Sequence, residues 1–188
     1  MKSAIVLGAR QRYGFMICEQ LLEQDYQVYA KDFIQWQTSE QEERWLFIGR
    51  NAHLQYAHLH EEKNIFDEKV LMIIVPLVDF YSQQKTEVHD LLLSILKEQN
   101  SMQIQTPIVL IQPSCMQRSY STFSQAIEKI KEEKIKMGGE VLEYHITMGN
   151  EDIYFRLNNY SEWIKNTEGG EIESVIHHLA EKVKADGC

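Results

Sequence analysis

Ser3-Ala-Ile-Val-Leu-Gly-Ala-Arg-Gln-Arg-Tyr-Gly14 is the stretch whose reading decides the fold. Its first five residues, to Leu7, form an apolar run of strand character. Gly8-Ala-Arg-Gln-Arg-Tyr-Gly14 then marks a turn. Gly8 supplies the tight bend after the strand, and Gly14 lets the next element pack closely against the sheet. That element is a helix over Phe15 to Gln24, with Ile17, Leu21 and Leu22 on a buried stripe and Met16 filling space nearby. Gln27-Val-Tyr-Ala30 reads as a second strand and runs into Lys31-Asp32. A helix N-terminus placed just after such a turn aims backbone N–H groups at an anion, where a pyrophosphate belongs. Asp32 falls where a carboxylate accepts hydrogen bonds from an adenosine ribose, and its charge favours NAD over NADP. Strand, glycine-marked turn, helix and acid-ended strand make the first half of a dinucleotide-binding fold.

The rest of the chain continues the alternation. A helix is predicted over Ser39 to Ile48, with Ser39 as its N-cap. A third, short strand follows over His53 to His58. Val70 to Val75 is the most continuous apolar run and predicts a central parallel strand, buried on both faces, that ends at Pro76. Gln84 to Glu98 is a helix turning Val88, Leu91, Leu92, Ile95 and Leu96 inward. Pro107 to Ile111 is a fifth strand, stopped by Pro113. Ser121 to Lys136 is a helix with Phe123, Ile127 and Ile130 inward, closed by Gly138-Gly139. Val141 to Ile146 is a sixth strand, Glu151 to Trp163 is less regular, and Glu171 to Lys184 is the last helix, with Ile172, Val175, Ile176 and Leu179 inward. The expectation is an α/β, doubly wound parallel sheet of about six strands in a single domain, 1–188.

Bulk properties narrow the function classes. The 188 residues are 44% hydrophobic and 25% charged, an ordinary globular composition with room for a substantial core. A net charge of -9 argues against nucleic acid and against an anionic membrane as partners. The basic stretch Lys129 to Lys136 is interleaved with Glu132 and Glu133 and reads as a solvated helix face. Met1-Lys2 leads straight into a strand, so no signal peptide is expected. Cys18, Cys115 and Cys188 are few, odd in number and scattered, which suits reduced thiols and a cytoplasmic protein.

Several segments resemble the extended short-chain dehydrogenase family, the NAD-dependent nucleotide-sugar epimerases and dehydratases. Ile5 to Ala9, Gly14-Phe15, Cys18 to Gln24 and Val28 to Asp32 are similar to the family's opening segment. Ser119 to Lys129 looks like the region of its Tyr-x-x-x-Lys helix, and Val141 to Tyr154 resembles the strand and loop beyond. The resemblance implies NAD as cofactor, held by Gly8, Ala9, Gly14 and Asp32, while Arg10 and Arg12 on the same turn either bind its phosphates or are solvated turn residues. It implies Tyr120 as the catalytic residue, with Ser114 beside the substrate. It also implies a homodimer through the helices at 84–98 and 121–136.

The departures from the family pattern bear on chemistry. Gln11 stands where the middle glycine of the turn should admit the pyrophosphate, with Arg10 and Arg12 beside it to pair with phosphate. Val75-Pro76-Leu77 replaces the small residues after the fourth strand. Ser124 stands where the family has the lysine that lowers the tyrosine pKa and holds the nicotinamide ribose, and a serine carries no charge for either task. The C-terminal substrate lobe is reduced or missing. The expected protein is therefore a non-catalytic, nucleotide-binding or regulatory pseudoenzyme. The alternatives are an active NAD-dependent epimerase or reductase using Tyr120, and a protein-binding scaffold without dinucleotide.

Other constellations carry less. His53, His58 and His60 lie near Glu61 and Glu62, but His53 would not share a face with the other two, so no metal site is expected. Cys115 reads as a buried cysteine. Trp36, Trp45 and Trp163 read as core or rim aromatics. Tyr154, Phe155, Tyr160 and Trp163 could line a cleft or a subunit contact.

Overall fold

Alternate residues of the first strand point to opposite cores, and this period of two organises the whole domain. The computed structural model of the protein describes residues 2–59, 70–82, 85–101, 106–113, 121–146, 153–157, 164–166 and 171–185. In chain order the elements are β1 (Ser3–Leu7), α1 (Arg12–Glu23), β2 (Gln27–Phe33), a 3₁₀ turn (Ile34–Trp36), α2 (Ser39–Trp45) and β3 (Leu54–Leu59). Then come β4 (Met72–Val75), α3 (Leu77–Ser82), α4 (Thr86–Ser101), β5 (Ile108–Pro113) and α5 (Thr122–Lys136). The chain closes with β6 (Val141–Ile146), β7 (Ile153–Leu157), β8 (Ile164–Asn166) and α6 (Glu171–Ala185).

The strands lie in the order β3-β2-β1-β4-β5-β6-β7-β8. The first six are mutually parallel, as the alternation predicts; β7 and β8 pair antiparallel at the β6 side. After β1 the chain moves outward to β2 and β3. It then returns to β4 on the other side of β1, which makes a crevice at the carboxyl ends of β1 and β4.

Ala4 and Val6 join Val28, Ile74, Val109, Leu142 and Tyr144 in a core covered by α1 and α6 through Ile17, Leu21, Val175 and Ile176. Ile5 and Leu7 join Ile73, Val75, Ile108 and Leu110 in a second core covered by α4 and α5 through Val88, Leu92, Phe123 and Ile127. β4 is buried along its whole length, as a strand between two parallel neighbours should be. Among the described residues no helix is long and apolar enough to cross a membrane.

The structure corrects the sequence reading in several places. The stretch from Glu151, expected to be irregular, contains β7, whose Ile153 to Leu157 pair with Ile146 to Leu142. β8 then adds to β7. Pro113 ends β5 from inside it, paired with Ile146, because the last position of a strand needs no N–H toward the ladder. Helix α3 follows Pro76 directly where no element was expected. The N-cap of α2 is Thr38, one residue earlier than expected. Its side chain accepts from Gln41 N–H (3.3 Å) while the Gln41 side chain accepts from Thr38 N–H (3.1 Å), a reciprocal capping box. Helix α1 begins at Arg12, three residues before Phe15, so that Tyr13 and Phe15 are buried and Met16, expected to fill space, is 38% exposed.

Candidate functional site

The first turn sits in the crevice between β1 and β4, and two glycines set its shape. Gly8 adopts a positive φ of 75°. A Cβ on Gly14 would lie 2.0 Å from the Gly8 carbonyl oxygen, so only glycine lets α1 start this close to β1. Ala9 is fully buried between them. The expected glycine roles in the turn geometry are thus visible as contacts.

Two carboxylates grip this turn. Asp32, at the end of β2, has no exposed surface. Its carboxylate accepts from the Trp36 indole Nε1 (2.6 Å), from Phe33 N–H (2.8 Å) and from Arg10 N–H (3.1 Å). Burial raises its pKa to about 6, against the lowering effect of those hydrogen bonds and of the Arg10 charge. The bonds from Trp36 and Phe33 both fall on Oδ1, and the bond from Arg10 falls on Oδ2.

The second carboxylate is Asp79, on α3, 5% exposed. It accepts from Tyr13 N–H and Gly14 N–H, each at 3.0 Å to Oδ2, with Oδ1 at 3.3 Å from Tyr13 N. These are two of the otherwise unsatisfied donors at the N-terminus of α1. The carboxylate therefore occupies the anion position that the turn and helix create. Burial pushes Asp79 up to about 7. The two backbone bonds and the Arg44 charge hold it down, and the Asp32 charge adds to the rise.

Side chains of the turn are also engaged. Gln11, 3% exposed, accepts from Gln41 Nε2 (2.9 Å), and its own Nε2 reaches Gln41 Oε1 (3.4 Å) and the Trp36 carbonyl (3.5 Å). The Trp36 ring covers the turn so closely that a Cβ on Gly8 would lie 3.0 Å from it, with Phe80 next at 3.3 Å. The Arg10 guanidinium stacks on Tyr56 at 4.0 Å and donates to Gln37 Oε1 (3.3 Å). Arg44 donates to the Arg10 carbonyl (3.0 Å) and lies over Phe15 at 5.0 Å. Arg12 is exposed and lies over the Tyr13 ring at 5.5 Å.

Of the expected site residues, the structure brings Gly8, Ala9, Arg10, Gly14 and Asp32 together around one turn, with Arg12 at its outer edge. Ser114 and Tyr120, and Cys115 with them, lie outside the described residues. So do His60, Glu61 and Glu62. Among the described residues no group of three or more His, Cys, Asp or Glu side chains could hold a metal ion. Ser124 is described. Its N–H is accepted by the Ser121 hydroxyl (3.1 Å), and its own hydroxyl donates to the Ser121 carbonyl (2.9 Å), both bonds of the first turn of α5.

Sequence reasoning missed Asp79, Trp36 as the cover of the turn, and the partnership of Gln11 with Gln41. No local pattern announces them, although an acid three residues after a proline-ended strand is a signal that could have been followed. It also missed a polar cluster inside β6. There Glu143 accepts from Gln112 Nε2 (2.5 Å) and pairs with Lys131 (3.1 Å), while His145 Nε2 lies 3.8 Å away. Lys131 also pairs with Glu128. Burial opposes the Glu143 charge, but the bonds from His145 and Lys131 outweigh it and hold the carboxyl at about 2.

Comparison with solved structures assigns the architecture to a class. The Bordetella bronchiseptica enzyme WbmH in complex with NAD+ is similar at 12% identity and a TM-score of 0.54, over 78% of this chain and 56% of that one. Yeast methylglyoxal/isovaleraldehyde reductase Gre2 complexed with NADPH is similar at 14% identity and 0.54, over 77% and 54%. Gre2 from Candida albicans with NADPH gives 13% and 0.52, over 78% and 57%. The chain thus shares the Rossmann-type α/β fold of these dinucleotide-bound proteins and spans little more than half their length. No family model and no curated protein sequence matches it.

Proposed function

We propose that this protein is a non-catalytic, regulatory relative of the extended short-chain dehydrogenases that works by binding a dinucleotide, NAD in preference to NADP. The observation that carries the non-catalytic reading is Ser124. At the position where the chemistry needs a lysine, it spends its hydroxyl and its N–H on the first turn of α5. A neutral hydroxyl so engaged supplies no positive charge to lower a tyrosine pKa or to hold a nicotinamide ribose. Support for the dinucleotide comes from the glycine turn and the N-terminus of α1, and from the NAD+ and NADPH bound by the fold neighbours.

The test is a turnover assay. Full-length protein is incubated with each oxidised and reduced nicotinamide dinucleotide and panels of aldehydes and nucleotide sugars, and nicotinamide absorbance is followed. The expected result is no enzyme-dependent hydride transfer. Turnover that vanishes in Tyr120→Phe would overturn this reading and install the active epimerase or reductase in its place.

A second reading, a protein-binding scaffold without dinucleotide, is favoured by one observation: Asp79, Trp36 and Gln11 already fill the turn. Calorimetric titration with the four dinucleotides separates the two readings, since a scaffold shows no saturable heat with any of them.

A further inference from the structure

We propose that Asp79 is an internal stand-in for phosphate, so that the nucleotide cleft is autoinhibited rather than lost, and a pyrophosphate-linked dinucleotide enters by displacing this carboxylate from the N-terminus of α1. The inference rests on the nucleotide-binding reading above and assigns the regulation of that same site.

The geometry supplies a direct competition. Tyr13 and Gly14 each have one backbone N–H, and both donate to Asp79 Oδ2 at 3.0 Å. A phosphate oxygen at the start of α1 needs the same donors, and the two anions would also repel each other at contact distance. Occupancy by carboxylate and by pyrophosphate is therefore mutually exclusive.

The two groups that face one another belong to opposite lips of the crevice. The turn and α1 follow β1, whereas Asp79 is carried by α3, which follows β4. The bond from Asp79 to the turn is thus a latch across the switch point of the sheet. Trp36 closes the same turn from the β2 side, bonded to Asp32.

The latch is built to be displaced without unfolding its support. Leu77, Val78 and Phe80 anchor α3 in the core, the Asp79 N–H bonds the Pro76 carbonyl (2.9 Å), and the Asp79 carbonyl accepts from the Ser82 hydroxyl (2.7 Å). Rotation of one side chain frees both N–H groups while α3 stays in place. Burial also makes the latch a strained anion. The Arg44 charge favours it and the Asp32 charge opposes it, and the carboxyl sits at about 7.

The experiment uses the full chain, as wild type, Asp79→Ala and Asp79→Asn, with circular dichroism and thermal melting to check the fold. Each is titrated calorimetrically with NADH and, separately, with inorganic pyrophosphate. The expected result is that Asp79→Ala binds both probes at least about tenfold tighter than wild type. Asp79→Asn, whose amide oxygen still accepts the two N–H bonds without charge, should fall between them. Equal NADH affinity in all three overturns the latch and leaves the nucleotide-binding reading standing. Folded proteins that bind neither probe in any form overturn both. If Asp79→Ala does not fold, Asp79→Asn decides by the same criteria.

Discussion

At the scale of single residues, the site is governed by two buried acids whose charges are costly. Asp32 and Asp79 both have folded pKa values raised above the usual 3.8, to about 6 and about 7. A raised carboxyl binds a proton more tightly folded than unfolded. Its stabilising contribution is therefore fully present below the unfolded value and is lost as pH rises through the folded value. The expected outcome is an unfolding free energy, from urea titration, that falls between about pH 4 and about pH 7, with each group adding up to about 1.4 kcal/mol per pH unit and both contributing below about pH 6. Asp79→Asn should flatten the upper part of that slope; an unchanged slope would show that Asp79 does not titrate there. Glu143 behaves oppositely. Its carboxyl is held at about 2, so the stability it contributes is lost as pH falls from its ordinary value of 4.5 through 2. The Asp32 position was legible in the sequence because it ends a strand. Asp79 was not, because its partners are backbone groups 65 and 66 residues away.

At the scale of elements, close approach and buried pairing decide what can change. Gly14→Ala would set a Cβ 2.0 Å from the Gly8 carbonyl oxygen, backbone that cannot give way. α1 would have to move off β1, at a cost of about 3 kcal/mol or more, as for severe overpacking. Chemical denaturation measures this, and a loss under about 1 kcal/mol would contradict the contact. Lys131 ties α5 to β6 through Glu143, with side chains 14% and 9% exposed. Lys131→Met would leave a buried carboxylate short of its cation and is expected to cost about 3 kcal/mol. Its melting temperature should recover in part when Glu143→Gln is added. The strands β1 and β6 and helix α5 were legible because each combines an apolar period with clear ends. β7 and β8 were not, since an antiparallel extension takes its register from β6 rather than from a local pattern.

At the scale of the molecule, the sheet has one face covered by α1 and α6 and the other by α4 and α5. The final helix is tied in by the Tyr144 hydroxyl, 2.6 Å from His178 Nδ1. The family resemblance implies a homodimer through helices 84–98 and 121–136, which correspond to α4 and α5. Light scattering is expected to give twice the monomer mass, and a monomer at all concentrations would remove that proposal. Leu46 and Phe47, 69% and 85% exposed after α2, lie on a different part of the surface and are not needed for that contact.

The sequence by itself determined the six parallel strands, the longer helices between them, the glycine turn and a serine at position 124. All of these follow from local periodicity, backbone freedom or the identity of one residue. Only the tertiary structure decided what fills the crevice. Asp79 from α3, Trp36 from the 3₁₀ turn and Gln41 from α2 converge on the turn after β1. Their bonds depend on how distant segments are brought together by burying two faces of one sheet. Hydrophobic patterning specifies that burial, but it does not say which polar side chains it will leave facing the N-terminus of α1.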